Sequence, residues 1–269
     1  MKTFQCALSV FCIVYMLFVV VVTKTYADEP LQVQLQKLQI ITENYPPIGF
    51  RNKNNEIVGM AVEVVQEIML RLKMKQQIKM WPWARAYLKT IEGPNFVLFS
   101  ASRTKEREPL FHWVGSIFTM RASFYVKKGS GMKISSLNDA KKVKSIGTCR
   151  EAFDEQFLKK EGFTNLEATK QNSLNIKKLM KGRISAVTAT NITLEAMLKE
   201  AGFSINDVEE QYTFLRTLNY IVFSRQISDE VVNAWRQTLK DIKDEGLLSK
   251  LQEKWFQSHL CQSKIQRDV

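Results

Sequence analysis

The chain has 269 residues, 45% hydrophobic and 25% charged, with 39 Lys and Arg against 27 Asp and Glu and a net charge of +12. This composition excludes a disordered or collagen-like chain, and the length suffices for one large core or two smaller ones. One long apolar run excludes a multi-span membrane protein, and 2 histidines with 4 cysteines exclude a multi-histidine metal centre or a zinc-finger array.

The apolar run comes first. Lys2 opens a short basic stretch, Cys6 to Val22 is almost unbroken apolar sequence, and Thr25-Tyr26-Ala27 offers small residues at a cleavage position. Residues 1–27 therefore read as a cleaved signal peptide, with an uncleaved anchor helix as the alternative, since a span wants about 20 residues. The mature chain is expected to work outside the cytoplasm, in the simplest case in a periplasm. Cys6 and Cys12 leave with the signal, and Cys149 and Cys261 remain where a disulfide can persist. They form one bridge or stay two separate thiols; the sequence leaves both open.

Further along, short β-branched or aromatic runs alternate with amphipathic stretches. Strands are predicted at Leu38 to Thr42, Phe96 to Ser100, Ser123 to Lys127, Ser145 to Thr148, Ile184 to Ala189 and Tyr220 to Ser224. Val62, Val65, Ile68, Met69 and Leu72 keep the three-and-four spacing of a helix face, as do Val232, Trp235, Leu239 and Ile242. Turn residues punctuate the pattern at Asn44-Tyr45-Pro46-Pro47, at Lys128 to Gly131 and at Gly246. Alternating strand and helix argues α/β with largely parallel sheets, as two lobes or one barrel-sized domain.

Several motifs then occur in a telling order. The strand and turn from Gln39 to Pro47 are followed by Val58-Gly59 opening a long helix. Ser100-Ala101-Ser102-Arg103-Thr104-Lys105-Glu106-Arg107 resembles an S-x-S-x-T-x-x-R signature, and Ser145 to Cys149 resembles the strand and loop that open a second lobe. Gly182 to Ala186 resembles a G-R-I-D-A strand with Ser185 in place of Asp, and Asp244 to Phe256 is similar to a terminal helix pair. Together they resemble the bacterial extracellular solute-binding proteins of family 3, the receptors of polar amino-acid ABC transporters. The resemblance covers residues 38–256.

It implies the two-lobed type II periplasmic-binding fold, with two crossing strands and a ligand cleft that closes by hinge motion. Carried onto this chain, the first crossing falls near Ser123 to Lys127 and the second near Asn219 to Ser224. Lobe one is then 36–123 plus 224–256, lobe two 124–223, and 257–269 a C-terminal tail. The implied partners are a small-molecule solute and a membrane permease; a monomer is expected, with no cofactor and no metal.

The resemblance implies that Arg107 holds the ligand α-carboxylate, a role that suits a guanidinium fork presenting paired donors to both oxygens. Ser100 and Ser102, two apart on an extended segment, add hydroxyls on the same side. Tyr45 matches the aromatic that relatives place over the ligand, and Glu43 is placed to accept from an ammonium. Trp83 and Arg85, in Trp81-Pro82-Trp83-Ala84-Arg85, supply a stacking wall and a second anion clamp. In the second lobe, Thr148, Cys149 and Arg150 lie on the loop that meets the ligand carboxylate in relatives, and Thr190 sits where relatives hold the ammonium. That stretch, Thr188 to Asn191, has no carboxylate, and an unpaired buried ammonium is costly. Either Glu43 takes the role or the ligand is an anion without an α-amino group.

Two other classes compete. A dehydratase resembling the cyclohexadienyl type needs a carboxylic acid in the cleft, for which Glu43 and Glu151 are the candidates. A ligand sensor would act through a membrane partner. Hydrolase and metalloprotease motifs are absent from the sequence, and the basic residues are scattered, so no nucleic-acid partner is expected.

Overall fold

The computed structural model describes residues 29–265, with side-chain surroundings given through Phe256. The expected signal peptide and the side chain of Cys261 lie outside the described residues. Among the described residues, no helix is long and apolar enough to cross a membrane.

The first helix, α1 (Leu31–Gln36), precedes strand β1 (Gln39–Thr42), a small hairpin of β2 (Phe50–Arg51) and β3 (Ile57–Val58), and helix α2 (Met60–Arg71). Strand β4 (Lys79–Met80) and helix α3 (Trp83–Glu92) lead to β5 (Phe96–Ser102). The long strand β6 (Phe111–Lys127) follows, then α4 (Leu137–Lys142), β7 (Ile146–Cys149), α5 (Phe153–Lys160), β8 (Leu166–Thr169) and α6 (Asn172–Met180). The chain returns through β9 (Ala186–Thr190), α7 (Leu194–Ala201) and the second long strand β10 (Val208–Ser224), and ends in α8 (Asp229–Asp244) and α9 (Leu247–Ile265).

Eight strands run in the order β4-β1-β5-β10-β6-β9-β7-β8. At one end β4, β1 and β5 are parallel, and at the other β9, β7 and β8 are parallel. The antiparallel pair β6/β10 joins them. β10 meets β5 only from Asn219 to Phe223, and β6 meets β9 only from Ala122 to Tyr125. Between these contacts, Thr119 to Arg121 faces Leu218 to Arg216 with no other strand alongside. The stretches expected to cross, Ser123 to Lys127 and Asn219 to Ser224, therefore join the flanking sheets, and the unsupported span lies nearer the middle of each strand. Runs of β-branched and aromatic residues mark strands well, but they do not mark where a neighbour is lost.

Helices cover both faces of each parallel sheet, and every residue of β5 is buried as a result. One core packs α1, α2 and α8 on the first sheet around Val62, Val65, Ile68, Trp235 and Leu239; on the opposite face α3 packs through Ala86 and Tyr87. The second sheet has its own two cores, around Ile176, Val187 and Leu198 and around Phe124, Ile146 and Leu158. α8 shows how sequence makes such an element. The Ser228 hydroxyl accepts from the Val231 N–H, Asp229 and Glu230 favour the helix N-terminus, and Val231, Val232, Trp235, Leu239 and Ile242 form the buried stripe. Gly59 opens α2 at φ +137°, where a Cβ would come within 2.4 Å of the Ile48 carbonyl oxygen, so only glycine fits.

Candidate functional site

Strands β5, β7 and β9 end on one cavity, the usual place for a ligand in open α/β sheets. Its volume is about 470 Å³, counting the part open to solvent. The first lobe supplies Glu43, Tyr45, Trp83, Ser100, Ser102 and Arg107; the second supplies Cys149, Phe153, Asp154, Asn172, Thr188 and Thr190, with Met120 of β6 between them.

Arg107 is 1% exposed. Its guanidinium lies 4.7 Å from the Tyr87 ring centroid and 5.3 Å from that of Trp83. Nε donates to Gln156 Oε1 at 2.9 Å, Nη2 to the Glu151 carbonyl at 2.9 Å, and Nη1 weakly to the Ser102 carbonyl at 3.5 Å. A guanidinium has five N–H donors, so the charge is buried with donors still free for an anion. Burial pushes the Arg107 pKa down while Tyr87, Asp154 and Glu43 support its charge.

Ser100 and Ser102 are buried and both hydroxyls lack a protein partner. Unpaired buried hydroxyls are rare in a settled core and suit a place where a ligand supplies the partner. Ser100 reaches the cavity by an unforeseen route. Ala101 pairs with Tyr220 and Phe99 with Ile221, leaving Ser100 as a bulge residue at φ +74°.

Against this cation stand two buried carboxyls. Asp154, in the first turn of α5, accepts from the Thr188 hydroxyl, and burial holds its pKa above the usual carboxylate range. Glu43 is pushed up to about 8, first by burial and further by Asp154, with Arg107 opposing. The resemblance matches the ammonium turn of relatives to a stretch read from the sequence as lacking a carboxylate. Thr188 to Asn191 contains none, but Thr188 touches Asp154, which arrives from another element. The signal was an acid just inside a predicted helix start, at Arg150-Glu151-Ala152-Phe153-Asp154.

Three expected ligand contacts lie elsewhere. Arg85 is exposed, with its guanidinium 4.5 Å over the Trp81 ring, because positions two apart on a helix face opposite ways and Trp83 takes the inward one. Arg150 is exposed, its N–H donating to the Thr169 carbonyl at 2.9 Å. Thr148 is fully buried but is not part of the cavity wall, because alternation along β7 turns Cys149 to the cleft instead. Cys149 is a free buried thiol whose pKa is raised, chiefly by burial. Tyr45 and Thr190 meet across the cleft at 3.5 Å, and Thr190 also pairs with the Thr193 hydroxyl at 2.8 Å. Among the described residues, no group of three or more His, Cys, Asp and Glu is placed to hold a metal ion.

Two α/β lobes closing on a small, charge-paired cavity define a solute-binding protein. The sequence profile of the bacterial extracellular solute-binding proteins, family 3, matches residues 38–258, and the chain belongs to that family. It is 24% identical over 239 residues to the L-cystine-binding protein TcyA of Bacillus subtilis, covering 85% of each chain. It is 21% identical over 241 residues to the L-cystine-binding protein TcyJ of Escherichia coli K12, covering 87% of this chain and 88% of that one. Among solved structures, a mutant of the T. maritima protein ArgBP superposes with a TM-score of 0.75 at 18% identity, covering 85% of this chain and all of that one. The fold is therefore the two-lobed type II periplasmic-binding fold.

Proposed function

We propose that the protein captures an α-amino acid, with its carboxylate at Arg107, Ser100 and Ser102 and its ammonium at Asp154 and Glu43, and delivers it to an ABC-type permease. The observation that carries this reading is the opposition of one buried guanidinium and two buried carboxyls across a single cavity. A zwitterion matches both ends at once, whereas a simple dianion would face Asp154 and Glu43 with no cation of its own. Similar proteins bind cystine and arginine, both α-amino acids, which supports the same class. Closure would bend at Thr119 to Arg121 and Arg216 to Leu218, the span where the two long strands have no other neighbour.

The protein acts as a monomeric, non-catalytic receptor in the periplasm after removal of residues 1–27. The candidate acid Glu151 offers its main-chain carbonyl, not its carboxyl, to Arg107, so of the two acids the dehydratase reading could use only Glu43 lines the cavity. A thermal-shift screen of refolded protein against L-amino acids and dicarboxylates tests the proposal, because a ligand that binds the native state raises Tm by mass action. A shift from at least one amino acid is expected; shifts from dicarboxylates alone would overturn it, and consumption of the ligand would establish catalysis instead.

A further inference from the structure

Arg107 belongs to a cluster drawn from both lobes. Gln156, on α5 of the second lobe, accepts the Arg107 Nε–H on its Oε1 at 2.9 Å, while its Nε2 donates to Glu151 Oε2 at 3.0 Å. The two ends of that amide are used in opposite senses, which fixes its orientation with the oxygen toward Arg107. The Glu151 main-chain carbonyl accepts from Nη2 at 2.9 Å. Glu151 is itself held by its N–H, which donates to Glu155 Oε2 at 2.6 Å, and Glu155 is buried and paired with Lys159 at 2.9 Å. The second lobe therefore presents a pair of acceptors, both tied down from within that lobe.

A guanidinium offers a carboxylate two forks, Nε with Nη2 along its side or Nη1 with Nη2 at its end. Nε carries a single hydrogen and Gln156 takes it, so the side fork is closed. Of the Nη hydrogens, Glu151 accepts one from Nη2 and the Ser102 carbonyl weakly accepts one from Nη1 at 3.5 Å, which leaves one hydrogen on each nitrogen. The walls agree with this division. Arg107, Ser100 and Ser102 line the cavity, whereas Gln156 lines a separate groove with Phe157, Lys160 and Arg216. Asp154 and Gln156, two apart on α5, point to different sides of the helix, so Asp154 faces the cavity and Gln156 meets Arg107 away from it. Building on the amino-acid reading above, we propose that Gln156 is a positioning residue that, on lobe closure, occupies the side of the Arg107 guanidinium and leaves its Nη1/Nη2 end for the ligand carboxylate. Gln156 acts through Arg107 and does not touch the ligand.

A crystal structure of the protein with an amino acid from the screen tests the assignment. Both carboxylate oxygens are expected on Nη1 and Nη2, with Gln156 Oε1 on Nε; a carboxylate oxygen on Nε would overturn it. Gln156→Leu, a change of similar volume at a half-buried position, opens the side fork and removes an acceptor that favours the closed form. Its affinity by calorimetry should fall about tenfold, mainly through faster release in stopped flow, with circular dichroism unchanged. In the bound variant the carboxylate should turn to include Nε, a movement that a purely structural role for Gln156 would not produce. Unchanged affinity with the carboxylate in its former place would overturn the proposal. If the screen yields dicarboxylates alone, the amino-acid reading fails, and the same comparison of Nε and Nη contacts with a dicarboxylate bound still decides the role of Gln156.

Discussion

The Arg107 guanidinium donates through Nη2 to the main-chain carbonyl of Glu151, 2.9 Å away across the cleft. The Trp83 indole N–H donates to the same oxygen at 2.7 Å, and Glu151 holds a left-handed φ of +59° with its own N–H bonded to Glu155 Oε2 at 2.6 Å. One carbonyl of the second lobe thus gathers two donors of the first. Arg107 is tied to lobe closure as well as to any ligand anion.

Arg107→Lys keeps the charge but loses the planar fork, and with it the paired contacts to Gln156 and Glu151. Losing charge-assisted hydrogen bonds of this kind costs about 3 kcal/mol, so affinity should fall about 100-fold. Calorimetry against the best amino acid from the screen checks this, with circular dichroism to confirm the fold. Unchanged affinity would remove Arg107 from the site.

Trp83→Phe retains a ring beside Arg107 but deletes the indole donor to Glu151. The carbonyl keeps Arg107 as a partner, so the loss is about 1 kcal/mol, felt only in the closed form. Affinity should drop about fivefold, mainly through faster ligand release, which stopped-flow dissociation measures. An unchanged release rate would show that this contact has no part in closure.

Asp154→Asn should separate ligand recognition from folding. Losing a charged acceptor for an ammonium costs about 1.5–3 kcal/mol, or roughly 10- to 150-fold in affinity. The ligand-free variant should melt no lower than the parent near pH 8, because it no longer buries a carboxyl that burial disfavours in its charged form. Weaker binding together with a lower ligand-free Tm would instead mark Asp154 as structural.

Glu43 makes stability depend on pH with an unusual sign. Its folded-state value, about 8, lies above its ordinary 4.5, so the fold favours the neutral acid. That contribution is complete below 4.5 and is lost as pH rises toward 8, with a slope of at most about 1.4 kcal/mol per pH unit for one proton. Ligand-free Tm should fall across this window, and Glu43→Gln should reduce the slope. A ligand ammonium beside Glu43 favours its ionised form, so binding at pH 7 should release a proton, seen as a buffer-dependent calorimetric heat. A slope unchanged in Glu43→Gln, or no proton release, would contradict this account.

The fold was legible where chemistry is local. The strand at Gln39–Thr42 and the helix faces at Met60–Arg71 and Asp229–Asp244 follow from β-branching, three-and-four spacing and caps. Arg107, Ser100 and Ser102, singled out by motif order, come from one continuous segment and line one cavity. What escaped depends on direction and on distance along the chain. Helical geometry turns Arg85 outward and strand alternation turns Thr148 away from the cavity, while the contact of Asp154 with Thr188 joins residues 34 apart in sequence. The bulge at Ser100 exists only relative to β10, a strand more than a hundred residues later.

The most direct test compares, by calorimetry, an amino acid that raises Tm in the screen with its α-hydroxy analogue, which keeps the carboxylate and side chain but lacks the ammonium. The account predicts that the parent protein favours the amino acid by at least 30-fold and that Asp154→Asn loses most of this preference. Equal affinity of the parent protein for both compounds would contradict it.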